Sequence, residues 1–172
     1  MASFGSTALF HLVGITPEAH SLGDVGGDKL PIAHRIGEGE IRDLKKSYAA
    51  DKHIDIVVFS APQLSLYELR DLAGLCHGRH FKRPLMVTTS PQVKPDSDRF
   101  GYTETIEGAG GTVLTGMCFY QSYAREMSEA NGWRRLATNS AKLVNILGGY
   151  GYVPMLASMK DCVDAAESGE LK

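Results

Sequence analysis

The feature that most restricts this chain is an alternation of short apolar runs with helical stretches. Runs at 8–15 (ALFHLVGI), 54–59 (IDIVVF), 85–89 (LMVTT), 112–115 (TVLT), 134–137 (RRLA) and 152–156 (YVPML) read as strands. Several place apolar residues on both faces, as strands do when helices cover both sides of a parallel sheet. Between them lie helices with defined ends. Ser65 and Glu68 form a capping box, each side chain satisfying an orphan amide, and that helix runs to His77 with Gly78 just beyond it. Ser158 and Asp161 repeat the arrangement, and 38–49, 102–109 and 140–147 are further amphipathic segments. Short connections between such elements require right-handed crossovers. The expected fold is therefore one α/β domain over 1–172, with a doubly wound, mostly parallel sheet and helices on both faces.

In such a sheet ligands bind outside the carboxyl ends of the strands. That rule selects the segments 14–18 (GITPE), 60–63 (SAPQ), 88–91 (TTSP), 115–118 (TGMC) and 138–140 (TNS). In TTSP, Ser90 suits a helix N-cap and Pro91 the first helical position, so Thr88, Thr89 and Ser90 serve either as caps or as an anion cradle. In TNSAK, Asn139 or Ser140 caps the next helix, and Lys142 in its first turn opposes the helix dipole. A cation there suits an anionic ligand better than it suits the helix. The glycine-rich stretch 20–40 reads as a mobile loop. His11 reads as a satisfied core residue of the first strand, and His20 as a loop residue.

Several function classes are disfavoured. A net charge of −2 and a pI near 6.3 provide no attraction for nucleic acid or an anionic membrane surface. No apolar run approaches the roughly 18 residues that suggest a membrane helix. The opening MASFGSTALFHLVG lacks the pattern of a secretory signal, so the expected location is the cytoplasm. Cys76, Cys118 and Cys162 are too widely spaced for a disulfide framework or a CxxC site. Cys76 and Cys162 fall in helical patterns and read as small buried hydrophobes, whereas Cys118 falls where a strand gives way to a loop. The glycine clusters at 108–112 and 148–152 terminate helices and lack the order of a dinucleotide site. Neither an HExxH nor a GxSxG motif occurs.

Taken together, FHLVGITPEAH (10–20), VVFSAPQLSLYELRDLAGL (57–75), PLMVTTS (84–90), GYTETIEGAGGTVLTGMC (101–118) and LATNSAK (136–142) resemble the aconitase X family, in the C-terminal half of its large catalytic subunit or domain. The closing SMKDCVDAAESGE resembles that family's last helix. The resemblance implies an aconitase-like lobe and a hydro-lyase acting on a small hydroxy acid, either cis-3-hydroxy-L-proline or mevalonate 5-phosphate. It also implies an iron–sulfur cluster or iron centre held by three cysteines, with the base carried on a small swivelling subunit or domain. Cys118 stands at one ligand position, and Ser60 at the position of a second, lost cysteine ligand. Gly116 stands in TGM where the family has TDT, and the first ligand belongs to an N-terminal half missing from this sequence. The chain alone is thus expected not to build a three-thiolate site. Thr88, Thr89, Ser90, Asn139, Ser140 and Lys142 match the substrate-side motifs. Two readings follow: part of a dehydratase, or a non-catalytic relative that keeps the ligand-binding or subunit-interaction surface.

Overall fold

A computed structural model describes residues 2–27, 31, 34–48 and 52–172. The chain divides into two compact units, Met1–Asp43 and Leu44–Lys172. In chain order the helices and strands are α1 (Ala2–Gly5), α2 (Leu22–Val25), α3 (Glu38–Ser47), β1 (Ile56–Leu64), α4 (Leu66–Cys76), β2 (Leu85–Thr89), α5 (Lys94–Arg99), α6 (Tyr102–Gly108), β3 (Gly111–Thr115), α7 (Ala124–Asn131), β4 (Arg135–Thr138), α8 (Ala141–Ile146), β5 (Val153–Leu156) and α9 (Met159–Ser168). Short 3₁₀ turns occupy Phe119–Gln121 and Leu147–Tyr150.

All strands of the second unit are parallel, in the order β3-β2-β1-β4-β5. Period-two alternation along β1 builds two cores. Val57 and Phe59 face the layer that includes Leu69, Leu72, Ile106 and Val163 from α4, α6 and α9. Ile56 and Val58 face Ala124, Leu143, Leu147 and Tyr152 on the opposite side. All four β1 residues are fully buried, each contributing roughly 1.5–3 kcal/mol relative to exposure. The helices change faces between β3 and β4, where the strand order jumps across β1. This is the doubly wound arrangement, and the jump leaves a switch point between the carboxyl ends of β1 and β4.

The capping box is present, with Ser65 N–H donating to Glu68 Oε2 at 2.8 Å and Glu68 N–H donating to Ser65 Oγ. Gly78 has φ +72°, which lets the chain leave α4. Ser158 Oγ accepts from the Asp161 N–H at the start of α9. Helix α3 begins at Glu38 as expected and ends at Ser47, with Tyr48 in a turn, and Ala49 of the 38–49 segment lies outside the described residues.

Three expectations need correction. Residues 8–15 form no strand. Gly14 takes φ +80°, the Thr16 hydroxyl accepts the Leu12 N–H at 2.8 Å, and the Ile15 and Thr16 amides turn back onto the Leu12 carbonyl. These local bonds satisfy the backbone without a ladder, and Leu9 and Ile15 remain more than 70% exposed. His11 accordingly lies in a loop, with Nδ1 3.7 Å from Glu18 Oε1 and lacking a hydrogen bond. Secondly, β1 continues past Phe59 to Leu64. Thirdly, Ser90 and Pro91 do not open a helix directly. Residues 91–93 form a turn and α5 starts at Lys94, because Pro95 has no N–H with which to extend a helix from Pro91. Of the 20–40 segment, Leu22–Val25 is helical, and 28–30 and 32–33 lie outside the described residues.

Candidate functional site

The carboxyl ends of β1, β2, β3 and β4 bring four of the selected segments together. From Phe59 to Leu64 strand β1 advances five residues while β2 advances only two, from Val87 to Thr89. The surplus loops out as Ser60–Gln63, with Ala61 in the left-handed region at φ +53° and the Ala61–Pro62 bond cis. Three hydroxyls hold this loop. Thr88 Oγ1 donates to Ser60 Oγ at 2.7 Å, Thr89 Oγ1 donates to the Leu64 carbonyl at 2.7 Å, and Ser140 Oγ donates to the Ala61 carbonyl at 2.6 Å. Each is buried, so each bond is shielded from competing water.

After β3 the chain turns at Gly116, whose φ of +84° favours glycine, and places Cys118 at the entrance to the 3₁₀ turn. Cys118 is half-buried, in contrast to Cys76 and Cys162, which are fully buried within helices. Burial pushes the Cys76 thiol up to about 11 and raises that of Cys162 further. Both therefore behave as inert hydrophobes. The Phe119 N–H donates to Ser60 Oγ at 3.0 Å, and Gln63 Nε2 donates to the Met117 carbonyl at 3.3 Å. The position expected to carry a second thiol is thus hydrogen-bonded to the residue next to Cys118.

On the β4 side, Ser140 caps α8, accepting the Leu143 N–H at 3.2 Å, while its own N–H donates to Thr138 Oγ1. Asn139 and Lys142 are exposed, and Lys142 Nζ lies 5.3 Å from the centroid of the Tyr120 ring, a cation–π contact that links this loop to the Cys118 turn. Ser90 is half-buried and its Oγ accepts the Val93 N–H at 3.2 Å. Thr88, Thr89 and Ser140 therefore shape the loops, while the Asn139 amide and the Lys142 ammonium face solvent. Gln63 lies in the 60–63 segment selected from the sequence, but its bond to the Met117 carbonyl depends on the bulge in β1, and Tyr120 carries no sequence signal for its contact with Lys142.

Among the described residues, no three of His, Cys, Asp and Glu come together as a metal site. A depression of about 210 Å³ lined by Arg125, Glu129, Arg134 and Tyr150 lies elsewhere, beside the amino ends of β4 and β5. Arg125 is already occupied there, donating to the Gly149 carbonyl at 2.7 Å. No helix among the described residues is long and apolar enough to cross a membrane.

Residues 54–168 match the family model of the aconitase X third domain. The chain is 33% identical to cis-3-hydroxy-L-proline dehydratase of Pseudomonas aeruginosa across 98% of its length, covering 30% of that protein. It is 31% identical to the phosphomevalonate dehydratase large subunit of Thermococcus kodakarensis across 96% of its length, covering 42% of that subunit. The crystal structure of Thermococcus kodakaraensis aconitase X in its holo form superposes with a TM-score of 0.64 at 26% identity, over 78% of this chain and 36% of that one. The chain thus spans under half the length of these relatives. A family match over most of the sheet-bearing unit, joined to the same fold in a solved relative, establishes that the chain belongs to the aconitase X family.

Proposed function

We propose that this chain forms one wall of the active site of an aconitase-X-type hydro-lyase that dehydrates a small hydroxy acid, with cis-3-hydroxy-L-proline ahead of mevalonate 5-phosphate. The observation that carries the reading is the 33% identity to cis-3-hydroxy-L-proline dehydratase across 98% of the chain. The convergence of four carboxyl-end segments at one switch point supports it. The exposed Asn139 amide and Lys142 ammonium hold the substrate carboxylate, and Ser90 flanks it. Thr88, Thr89 and Ser140 fix the loops that present them. The loops at this edge supply one cation, Lys142, and no basic cluster, which suits a singly charged carboxylate better than a nearly doubly charged phosphate.

Family membership points to iron or an iron–sulfur cluster in the complete enzyme. The residues of this chain do not fit that group by themselves. Cys118 is the one thiol at this edge, and Ser60 Oγ already accepts two hydrogen bonds. No catalytic step through a metal is assigned to these residues. In this reading the remaining ligands and the proton-abstracting base come from the rest of the enzyme, including its small swivelling subunit or domain.

A second reading, a non-catalytic relative that binds the ligand without turning it over, is favoured by the engagement of Ser60. One experiment separates the two. The chain is combined with the complementary parts of an aconitase-X-type dehydratase, reconstituted anaerobically with iron and sulfide, and assayed with both hydroxy acids. Turnover of cis-3-hydroxy-L-proline that disappears in Cys118→Ala supports the enzyme reading. A ligand-induced rise in melting temperature without turnover supports the second, and neither turnover nor a thermal shift contradicts both.

A further inference from the structure

We infer that Ser60 and Gln63 form a clamp that fixes the backbone of Cys118, and that Ser60 is a positioning residue for that thiol. The Met117 carbonyl belongs to the peptide unit before Cys118, and the Phe119 N–H to the unit after it. Gln63 Nε2 holds the first at 3.3 Å and Ser60 Oγ holds the second at 3.0 Å. With both peptide planes pinned, φ and ψ of Cys118 are set, and with them the direction in which its side chain leaves the backbone. The residue is extended, at φ −90° and ψ 150°.

The two halves of the clamp differ in strength. Ser60 is 1% exposed, so its bond to the Phe119 amide has no water to compete with, whereas the Gln63 contact is long and exposed. Ser60 is itself held. Thr88 Oγ1 donates to the same oxygen, so both acceptor lone pairs of the hydroxyl are used. The bulge that carries it is tied down at Ala61 by Ser140 and at Leu64 by Thr89. This hydroxyl therefore works as a joint between β2 and the Cys118 turn. The clamp stands apart from the substrate assignment, and its test uses neither substrate nor turnover.

The measurement is alkylation of the folded full chain by iodoacetamide, followed separately at each cysteine by peptide mass spectrometry. Cys76 and Cys162 are fully buried and report global opening, which separates loosening of the clamp from unfolding. In Ser60→Ala the Cys118 rate rises about three- to tenfold, the scale of one net hydrogen bond, while Cys76 and Cys162 stay protected. Gln63→Ala gives a smaller rise. Thr88→Val loosens Ser60 but keeps its bond to the Phe119 amide, and gives a rise in the Cys118 rate smaller than that of Ser60→Ala. In the wild-type chain, hydrogen exchange finds the Phe119 amide protected like the strands rather than like a loop. The clamp is refuted if Ser60→Ala leaves Cys118 unchanged, if all three thiols accelerate together, if Thr88→Val matches Ser60→Ala, or if the Phe119 amide exchanges freely.

Discussion

The two ends of the parallel sheet are tied together by different chemistry. At the amino end a charge does the tying: Asp55 Oδ2 accepts the Arg134 and Arg135 N–H groups at 2.8 and 2.7 Å, and Oδ1 lies 3.3 Å from His53 Nε2. Burial pushes the Asp55 carboxyl up, but the two backbone amides, with His53 and Arg135 nearby, outweigh it and hold the group below its usual range. At the carboxyl end the joints are neutral hydroxyls: Ser60, Thr88, Thr89 and Ser140. The amino-end seam therefore rests on a single ionised carboxylate. The carboxyl end carries no charge in its joints, and Lys142 beside them packs on the Tyr120 ring while remaining exposed to solvent.

The largest expected effect lies at the start of β3, near the amino end. A Cβ at Gly111 would meet Ile106 Cγ2 at 2.8 Å and the Ile106 carbonyl at 2.9 Å, so Gly111→Val forces backbone movement. It should cost about 3 kcal/mol, read from the denaturant midpoint. Next, Asp55→Ala removes two charge-assisted bonds and should cost about 2–3 kcal/mol. The same carboxylate predicts an acid limb. Its folded pKa lies below the unfolded one, so its contribution is complete above the unfolded value and is lost as pH falls through the folded value. Melting temperature should fall more gently with acid in Asp55→Ala than in the wild type, over the range below about pH 4.

Smaller effects are expected at the carboxyl end. Gly116→Asp puts a side chain at φ +84° and should cost about 1–2 kcal/mol. That strain gives a physical reason for glycine at this position. Lys142→Ala should change stability by less than about 0.5 kcal/mol, yet remove most of the melting-temperature rise produced by a hydroxy acid.

The sequence was most informative where secondary structure is decided locally. The 85–89 run is β2 without adjustment, and the Ser65–Glu68 box and Gly78 bound α4 as expected. The parallel-sheet rule selected four segments that the fold brings together at the ends of β1, β2, β3 and β4, and a fifth, 14–18, that follows no strand. Other features escaped because they depend on tertiary partners. ALFHLVGI has the apolar content of a strand but no ladder to join, and its turn is closed by Gly14 and Thr16. Helix α5 is polar and begins beside Pro95, and α7 buries only Ala124 and Ser128, so neither carries a strong apolar stripe. The roles of Ser60, Thr88, Thr89 and Ser140 as joints depend on the β1 bulge, which strand periodicity does not reveal.

The contrast between the two ends makes a direct claim about where a ligand goes. Backbone amide shifts of the labelled chain, recorded by NMR during titration with cis-3-hydroxy-L-proline, test it. The account predicts shifts concentrated at Asn139–Lys142, Ser90 and the Cys118 turn, with the amino end silent. Shifts centred instead on the depression between Arg125 and Arg134, or none up to saturating ligand, would contradict it.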